Sequence, residues 1–267
     1  MAADSESVDV AGLSIGYRRA GQGEPLLLLH GAFSDSREWA RQLSGLAEDF
    51  DVIAVDCLGT GASADPPGGF ALADYADTLA GFLRALGIHR PHVGGLSFGS
   101  VYALLLYRFH PEVVRSLILI SAYAGWAGSL SAEEVLRRKQ WLKDVLERPV
   151  KEWGADFLAT VYPATAPAEL HAEALHILRD LRPQAFRQVA EAFADADLRD
   201  VLPLITVPTL LLYGSRDERS PIEVAREMGR RIPGSRLVVV PDAGHGVNAE
   251  APAEFNAAVR EFLSGYR

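Results

Sequence analysis

Cysteine is nearly absent from this chain: Cys57 is the single one among 267 residues. One thiol excludes an internal disulfide framework and cannot build a cysteine metal site. No apolar run approaches the ~20 residues needed to cross a bilayer. Residues 1–7, Met-Ala-Ala-Asp-Ser-Glu-Ser, lack the basic start and apolar core of a secretory signal. A soluble, cytoplasmic protein without membrane contact is therefore expected. Positive charge is also scarce. The formal net charge is −9, whereas a nucleic-acid binder carries a clustered basic face. The densest basic run, Arg137-Arg138-Lys139, follows Glu133 and Glu134 and reads as one solvated helix face. Internal repeats and low-complexity tracts are missing as well.

What is present fits one globular α/β domain with a modest insertion. Residues 8–19 alternate around Gly12 and predict an opening antiparallel hairpin. Residues 25–30, Pro-Leu-Leu-Leu-Leu-His, are nearly continuously apolar, as a strand buried on both faces must be. Residues 51–56, 91–96, 116–121 and 208–214 repeat that pattern, and 236–240 add a last strand. Helical stretches fall near 36–47, 72–86, 98–110, 222–232 and 253–263, with Gly87 stopping the second. Buried strands alternating with helices require a parallel sheet covered on both sides. The rhythm breaks at residues 123–200. That stretch offers no convincing strand, only helical segments near 132–146, 150–161, 167–181 and 183–194, punctuated by Pro149, Pro163, Pro167 and Pro183. The expected organisation is a core of residues 1–122 and 201–267 carrying a helical insertion, residues 123–200.

Gly95-Leu96-Ser97-Phe98-Gly99 lies between the strand at 91–96 and the helix at 98–110. A serine hydroxyl is a poor nucleophile until it is held exposed on a sharp turn beside a base. A glycine-flanked serine on a strand-to-helix turn meets that need, although the bare pentapeptide also fits a helix-capping serine. The best base is His245, in a glycine-flanked loop directly after the last strand, because imidazole titrates near neutrality. His89 and His92 flank the wrong end of the serine's strand, and the carbonyl end of its helix explains His110. His171 and His176 read as surface residues of the insertion. The acid that orients the base is expected at Asp217, after the strand at 208–214, with Glu218 as competitor; Ser121-Ala122-Tyr123 carries no acid at the preceding strand end. Nucleophile, acid and base then follow in the order associated with one fold. A developing oxyanion needs backbone donors. The Phe98 amide at a helix N-terminus is one. The His30-Gly31-Ala32-Phe33 turn supplies the other, from Ala32 first or Phe33 second, with His30 as a buried support.

With these residues in place the chain resembles the α/β-hydrolase fold superfamily along nearly its whole length. The matching landmarks are His30-Gly31, the stretch from Asp56 through Cys57, Leu58, Gly59, Thr60, Gly61 and Ala62 to Ser63, Gly95-Leu96-Ser97-Phe98-Gly99, Asp217, and Gly244-His245. The resemblance implies a mostly parallel eight-stranded sheet flanked by helices, a helical cap after the sixth strand, and hydrolysis through an acyl-enzyme on Ser97 without cofactor or metal. In such proteins the stretch at residues 56–63 looks structural; Cys57-Leu58 stand here where a basic residue is usual. A serine nucleophile sets the chain apart from the dehalogenases and epoxide hydrolases of this fold, which use aspartate. Esterases, lactonases, carbon–carbon bond hydrolases, perhydrolases and acyltransferases remain, with a non-enzymatic small-ligand receptor as the other class. Tyr123, Trp126, Trp153 and Tyr162, together with Trp141 and Phe157, are the aromatic candidates for an apolar acyl pocket. No arginine clamp for a substrate carboxylate is evident. Small esters and lactones with an acyl tail, acyl homoserine lactones among them, are the expected substrates.

Overall fold

A computed structural model describes residues 3–266. Ser5–Val10 (β1) and Leu13–Ala20 (β2) form the opening antiparallel hairpin, turning through Ala11 and Gly12, both at positive φ. Glu24–Leu29 (β3) leads through a 3-10 turn, Ser36–Trp39, into Ala40–Gly45 (α1) and Phe50–Val55 (β4). Leu72–Ala85 (α2), His92–Leu96 (β5), Phe98–Phe109 (α3) and Ser116–Ile120 (β6) follow. Four helices then run without a strand: Ala132–Leu146 (α4), Gly154–Val161 (α5), Ala168–Leu178 (α6) and Pro183–Ala194 (α7). Thr209–Gly214 (β7), Ile222–Arg231 (α8), Arg236–Val240 (β8), Val247–Glu250 (α9) and Pro252–Ser264 (α10) complete the chain. No helix among the described residues is long and apolar enough to cross a membrane.

The eight strands form one sheet in the order β1-β2-β4-β3-β5-β6-β7-β8. β2 meets β4 antiparallel, and every pairing from β4 to β8 is parallel. After β3 the chain steps one way to β4, then back across β3 to β5. The order therefore reverses between β3 and β5, and the carboxyl ends of those strands open a crevice there.

The continuous apolar runs are explained by two separate layers. Alternate residues of a strand point to opposite faces. Leu27, Leu29, Ile53, Val55, Leu117 and Leu119 pack on one side with Tyr75, Leu79 and Phe82 of α2 and Leu104 and Leu105 of α3. Leu26, Leu28, Val52, Ala54, Ile118 and Ile120 pack on the other with Trp39, Leu43 of α1, and Phe255 and Val259 of α10. The buried residues of α4 to α7, including Phe157, Phe186 and Phe193, are continuous with the first layer.

Helix boundaries depart from the periodic reading at several places, the 3-10 turn before α1 among them. The stretch expected to be helical at 150–161 is a 3-10 turn, Val150–Glu152, followed by α5. Trp153 leaves helical geometry at φ −137°, where its indole N–H donates to the Arg148 carbonyl at 3.2 Å. Gly154, a weak helix former, lets α5 press onto α6, since a Cβ there would meet Leu178 Cδ2 at 3.0 Å. The single turn α9, directly after His245, carried no periodic signal.

Candidate active site

Four loops at the carboxyl ends of β3, β5, β7 and β8 converge beside the reversal point. At the end of β5, Ser97 adopts φ 50°, ψ −107°, a conformation that L residues rarely hold. Its amide donates to the Ile120 carbonyl at 2.8 Å, fixing the turn to β6. The flanking glycines are required by contact. A Cβ on Gly95 would lie 2.3 Å from the Gly99 carbonyl oxygen, and one on Gly99 would lie 2.1 Å from that of Leu29. Strand, turn and helix therefore meet backbone to backbone, with Ser97 projecting at the crest.

Asp217 and His245 come together from the β7 and β8 loops. His245 Nδ1 lies 2.9 Å from both Asp217 carboxylate oxygens, and the two side chains are 6% and 1% exposed. Asp217 Oδ1 also accepts the amides of Arg219 at 2.9 Å and Ser220 at 2.8 Å. Burial works against the carboxylate's charge. The His245 charge and hydrogen bond and the Ser220 amide outweigh it and hold the carboxyl below its ordinary range. Glu218, the alternative acid, is exposed. The histidine loop is fixed from several sides. The His245 amide donates to the Val161 carbonyl at the end of α5 (3.1 Å), the Ser121 hydroxyl to the His245 carbonyl (3.0 Å), and the Gly244 amide to Glu250 (2.9 Å).

The turn after β3 is anchored by His30, which is buried. Its Nδ1 lies 2.8 Å from the Gly31 carbonyl, and its Nε2 accepts the Cys57 amide at 3.1 Å. Burial lowers its pKa, so it stays neutral. Asp56 accepts the amides of Ser36 and Ala62, each at 2.8 Å, which makes the stretch at residues 56–63 a brace for this turn. Phe33 takes φ 61°, and its ring lies 4.4 Å from Phe186 and 5.0 Å from Phe157. The Gly31 amide is taken by Glu38 Oε2 at 2.8 Å. Phe98 opens α3, so its N–H has no acceptor within the helix. Its ring turns aside and stacks on Phe193 at 4.6 Å.

Ser97, His245, Ala32 and Phe33 line one cavity of about 510 Å³, closed over by residues of α5 and α6 such as Phe157 and Ile177. Of the aromatic residues expected in a pocket, Tyr162 lines it and so does Phe157; Tyr123, Trp126, Trp141 and Trp153 do not. Their rings hold the helices together instead. The buried Tyr123 hydroxyl donates to the Arg219 carbonyl, Trp126 lies under the Arg138 guanidinium, and Trp153 packs behind Phe33 at 5.3 Å. His176, read as a surface residue, is exposed but stands at the cavity wall.

The basic run also folds differently from a solvated face. The Arg138 side chain is only 12% exposed; it pairs with Glu134 at 2.6 Å and donates to the Arg219 carbonyl at 2.9 Å. Helical spacing could not distinguish it from Arg137, its outward neighbour. The cavity residues not anticipated from the sequence include Glu38 and Arg219. For Glu38 a signal existed. Asp35-Ser36-Arg37-Glu38 has capping-box spacing; Asp35 caps the turn, and the Glu38 carboxylate reaches past it to Gly31.

A model of the alpha/beta hydrolase fold matches residues 24–252. The putative carbamate hydrolase RutD of Caulobacter sp. (strain K31) is 30% identical, with 92% of this chain and 92% of that protein covered. The 2-(acetamidomethylene)succinate hydrolase of Mesorhizobium japonicum is 29% identical over 97% of this chain and 95% of its own. A thermophilic esterase from Thermogutta terrifontis, solved with malate bound, superimposes with a TM-score of 0.88 at 29% identity, covering 98% of this chain and 99% of that one.

Proposed function

This chain belongs to the alpha/beta hydrolase fold family, and we propose that it is a serine hydrolase cleaving small carboxylic esters or lactones through an acyl-enzyme on Ser97. The observation that carries the reading is the Asp217–His245 pair, joined at 2.9 Å, with His245 on the same cavity wall as Ser97. Asp217 accepts the Nδ1 proton, which leaves Nε2 of His245 as the base. Nε2 takes the Ser97 proton while Oγ attacks the carbonyl carbon. The Phe98 amide and an amide of the Ala32-Phe33 turn hold the oxyanion. His245 then protonates the leaving alkoxide, and water, activated by the same nitrogen, frees the acid. In this reading α4 to α7 act as a cap on a core of residues 3–122 and 201–266.

The similar proteins support one second reading, a carbamate carbonyl in place of an ester, since the RutD relative carries that name. The same three residues serve both. The test is a turnover screen across aryl esters of graded acyl length, acyl homoserine lactones, other lactones and aryl carbamates. The expected result is turnover and fluorophosphonate labelling that both vanish in Ser97→Ala. Turnover that survives in Ser97→Ala would overturn the assignment, and carbamates outrunning esters would select the second reading.

A further inference from the structure

Three arginines line the cavity that holds Ser97 and His245: Arg37, Arg41 and Arg219. Two of them are neutralised by the protein. Arg37 pairs with Asp35 at 2.6 Å and Asp180 at 2.8 Å, and Arg41 pairs with Glu173 at 2.8 Å. Arg219 is different. Among the described residues its guanidinium makes no ion pair and donates one hydrogen bond, to Thr160 Oγ1 at 2.7 Å. Thr160 in turn donates to the Phe157 carbonyl at 2.7 Å, so that hydroxyl has no further proton to give. The guanidinium carbon lies over the Phe157 ring, 4.9 Å from its centroid, and Phe157 also faces the cavity.

A guanidinium carries five N–H donors in a fixed fork. One is used, and a ring face and a threonine hold the group still. The cation is thus oriented before any ligand arrives, and among the described residues no carboxylate pairs with it; Asp217, engaged with His245, acts on it through its charge without an ion pair. Burial pulls its pKa down from the ordinary arginine value, with the nearby Arg138 acting the same way, yet arginine stays charged. Of the two carboxylates on the wall, Glu173 pairs with Arg41 and Glu38 has its Oε2 on the Gly31 amide, so neither is taken by Arg219.

We propose that Arg219 is a specificity-determining residue that binds an anionic group of the substrate, a carboxylate remote from the scissile carbonyl. This deepens the serine-hydrolase reading and rests on it for the reaction, though not for the binding site. It reverses the expectation that no carboxylate clamp exists. The preferred substrates are esters or lactones bearing one carboxylate, with the acid seated on the Arg219 fork and the carbonyl at Ser97.

The test compares two esters of similar acyl length, para-nitrophenyl butyrate and mono-para-nitrophenyl glutarate, on the native protein, Arg219→Met and Arg219→Lys. Methionine keeps the length and the packing on Phe157 but not the charge. The expected result is that Arg219→Met loses about 10- to 100-fold in kcat/KM on the glutarate ester, mainly through KM. Butyrate turnover should change little, and Arg219→Lys should keep part of the preference. Equal losses on both esters, or no loss on either, would overturn the proposal in favour of a purely structural arginine. If neither ester turns over, binding of glutarate itself to native protein and Arg219→Met, followed by calorimetry, decides the anion site; binding by both alike overturns it. Fluorophosphonate labelling of Ser97 is scored separately, so failure of the nucleophile and failure of the anion site give different results.

Discussion

Replacing Asp217 by Asn probes the site through one well-determined contact. Asp217 Oδ1 already accepts two backbone amides, from Arg219 and Ser220, and His245 Nδ1 stands 2.9 Å from Oδ2. An asparagine at this position must keep its carbonyl oxygen on the two amides, which places its NH2 group against Nδ1. Two donors cannot face each other, so Nδ1 becomes an acceptor and the imidazole proton moves to Nε2. The nitrogen required as base is then blocked. The same tautomer error in serine proteases costs about 10⁴-fold in kcat, or about 5 kcal/mol of barrier. A second route gives a similar size. The imidazolium formed during reaction loses its carboxylate partner, an attraction of about 6 kcal/mol at this separation and an effective dielectric of about 20. The assay is kcat on whichever ester the screen selects, with the fluorophosphonate labelling rate in parallel. Glu218→Gln serves as control because Glu218 is exposed. The side-chain oxygen that accepts the Arg219 and Ser220 amides survives in Asp217→Asn, so melting and near-ultraviolet circular dichroism should stay close to native. Activity within about tenfold of native, or an equal loss in Glu218→Gln, would refute the reasoning.

Two further perturbations reach the neighbouring parts of the site. Burial pushes the Glu38 carboxyl up to about 7, from 4.5, against the lowering effect of the Gly31 amide. The folded state therefore holds this proton more tightly than the unfolded chain does. Glu38's contribution to stability should fall as pH rises from about 4.5 to about 7, by at most about 3 kcal/mol. Glu38→Gln keeps an acceptor for Gly31 and should remove that slope. The measurement is the urea midpoint of both proteins across the window, and parallel curves would count against it. Phe186 is 2% exposed and packs 4.4 Å from Phe33 and 5.5 Å from Phe98. Phe186→Ala should cost about 3–5 kcal/mol in denaturant unfolding and should lower kcat as well, because both rings carry proposed oxyanion amides. Native kcat in a destabilised Phe186→Ala protein would separate the two rings from the chemistry.

The features legible in the sequence were those with a short-range cause. Apolar runs such as residues 25–30 and 116–121 became β3 and β6 because a strand covered on both faces must be apolar at every position. The glycines around Ser97 announced a close backbone approach, and the structure supplies the atoms they would otherwise strike, the Gly99 and Leu29 carbonyl oxygens. Asp217 and His245 were found by their places after β7 and β8, since loops at the carboxyl ends of parallel strands share one edge of the sheet. The pocket was not readable in this way. Trp153 and Tyr162 are equally aromatic neighbours of α5, yet only Tyr162 reaches the cavity.

The sequence alone thus determined the strands, the longer helices, their order along the chain, and the three residues whose loops end side by side, because periodicity, glycine spacing and strand order are properties of the chain itself. The tertiary structure decided which side chains of the helices between β6 and β7 meet the core. It turned Arg138 inward and Arg137 outward, carried Glu38 back to the Gly31 amide, and left Arg219 facing Ser97's cavity without a carboxylate. Residue type cannot specify these outcomes. They depend on how one packed surface lies on another, and a shift of a single helical position exchanges a cavity wall for a solvent face.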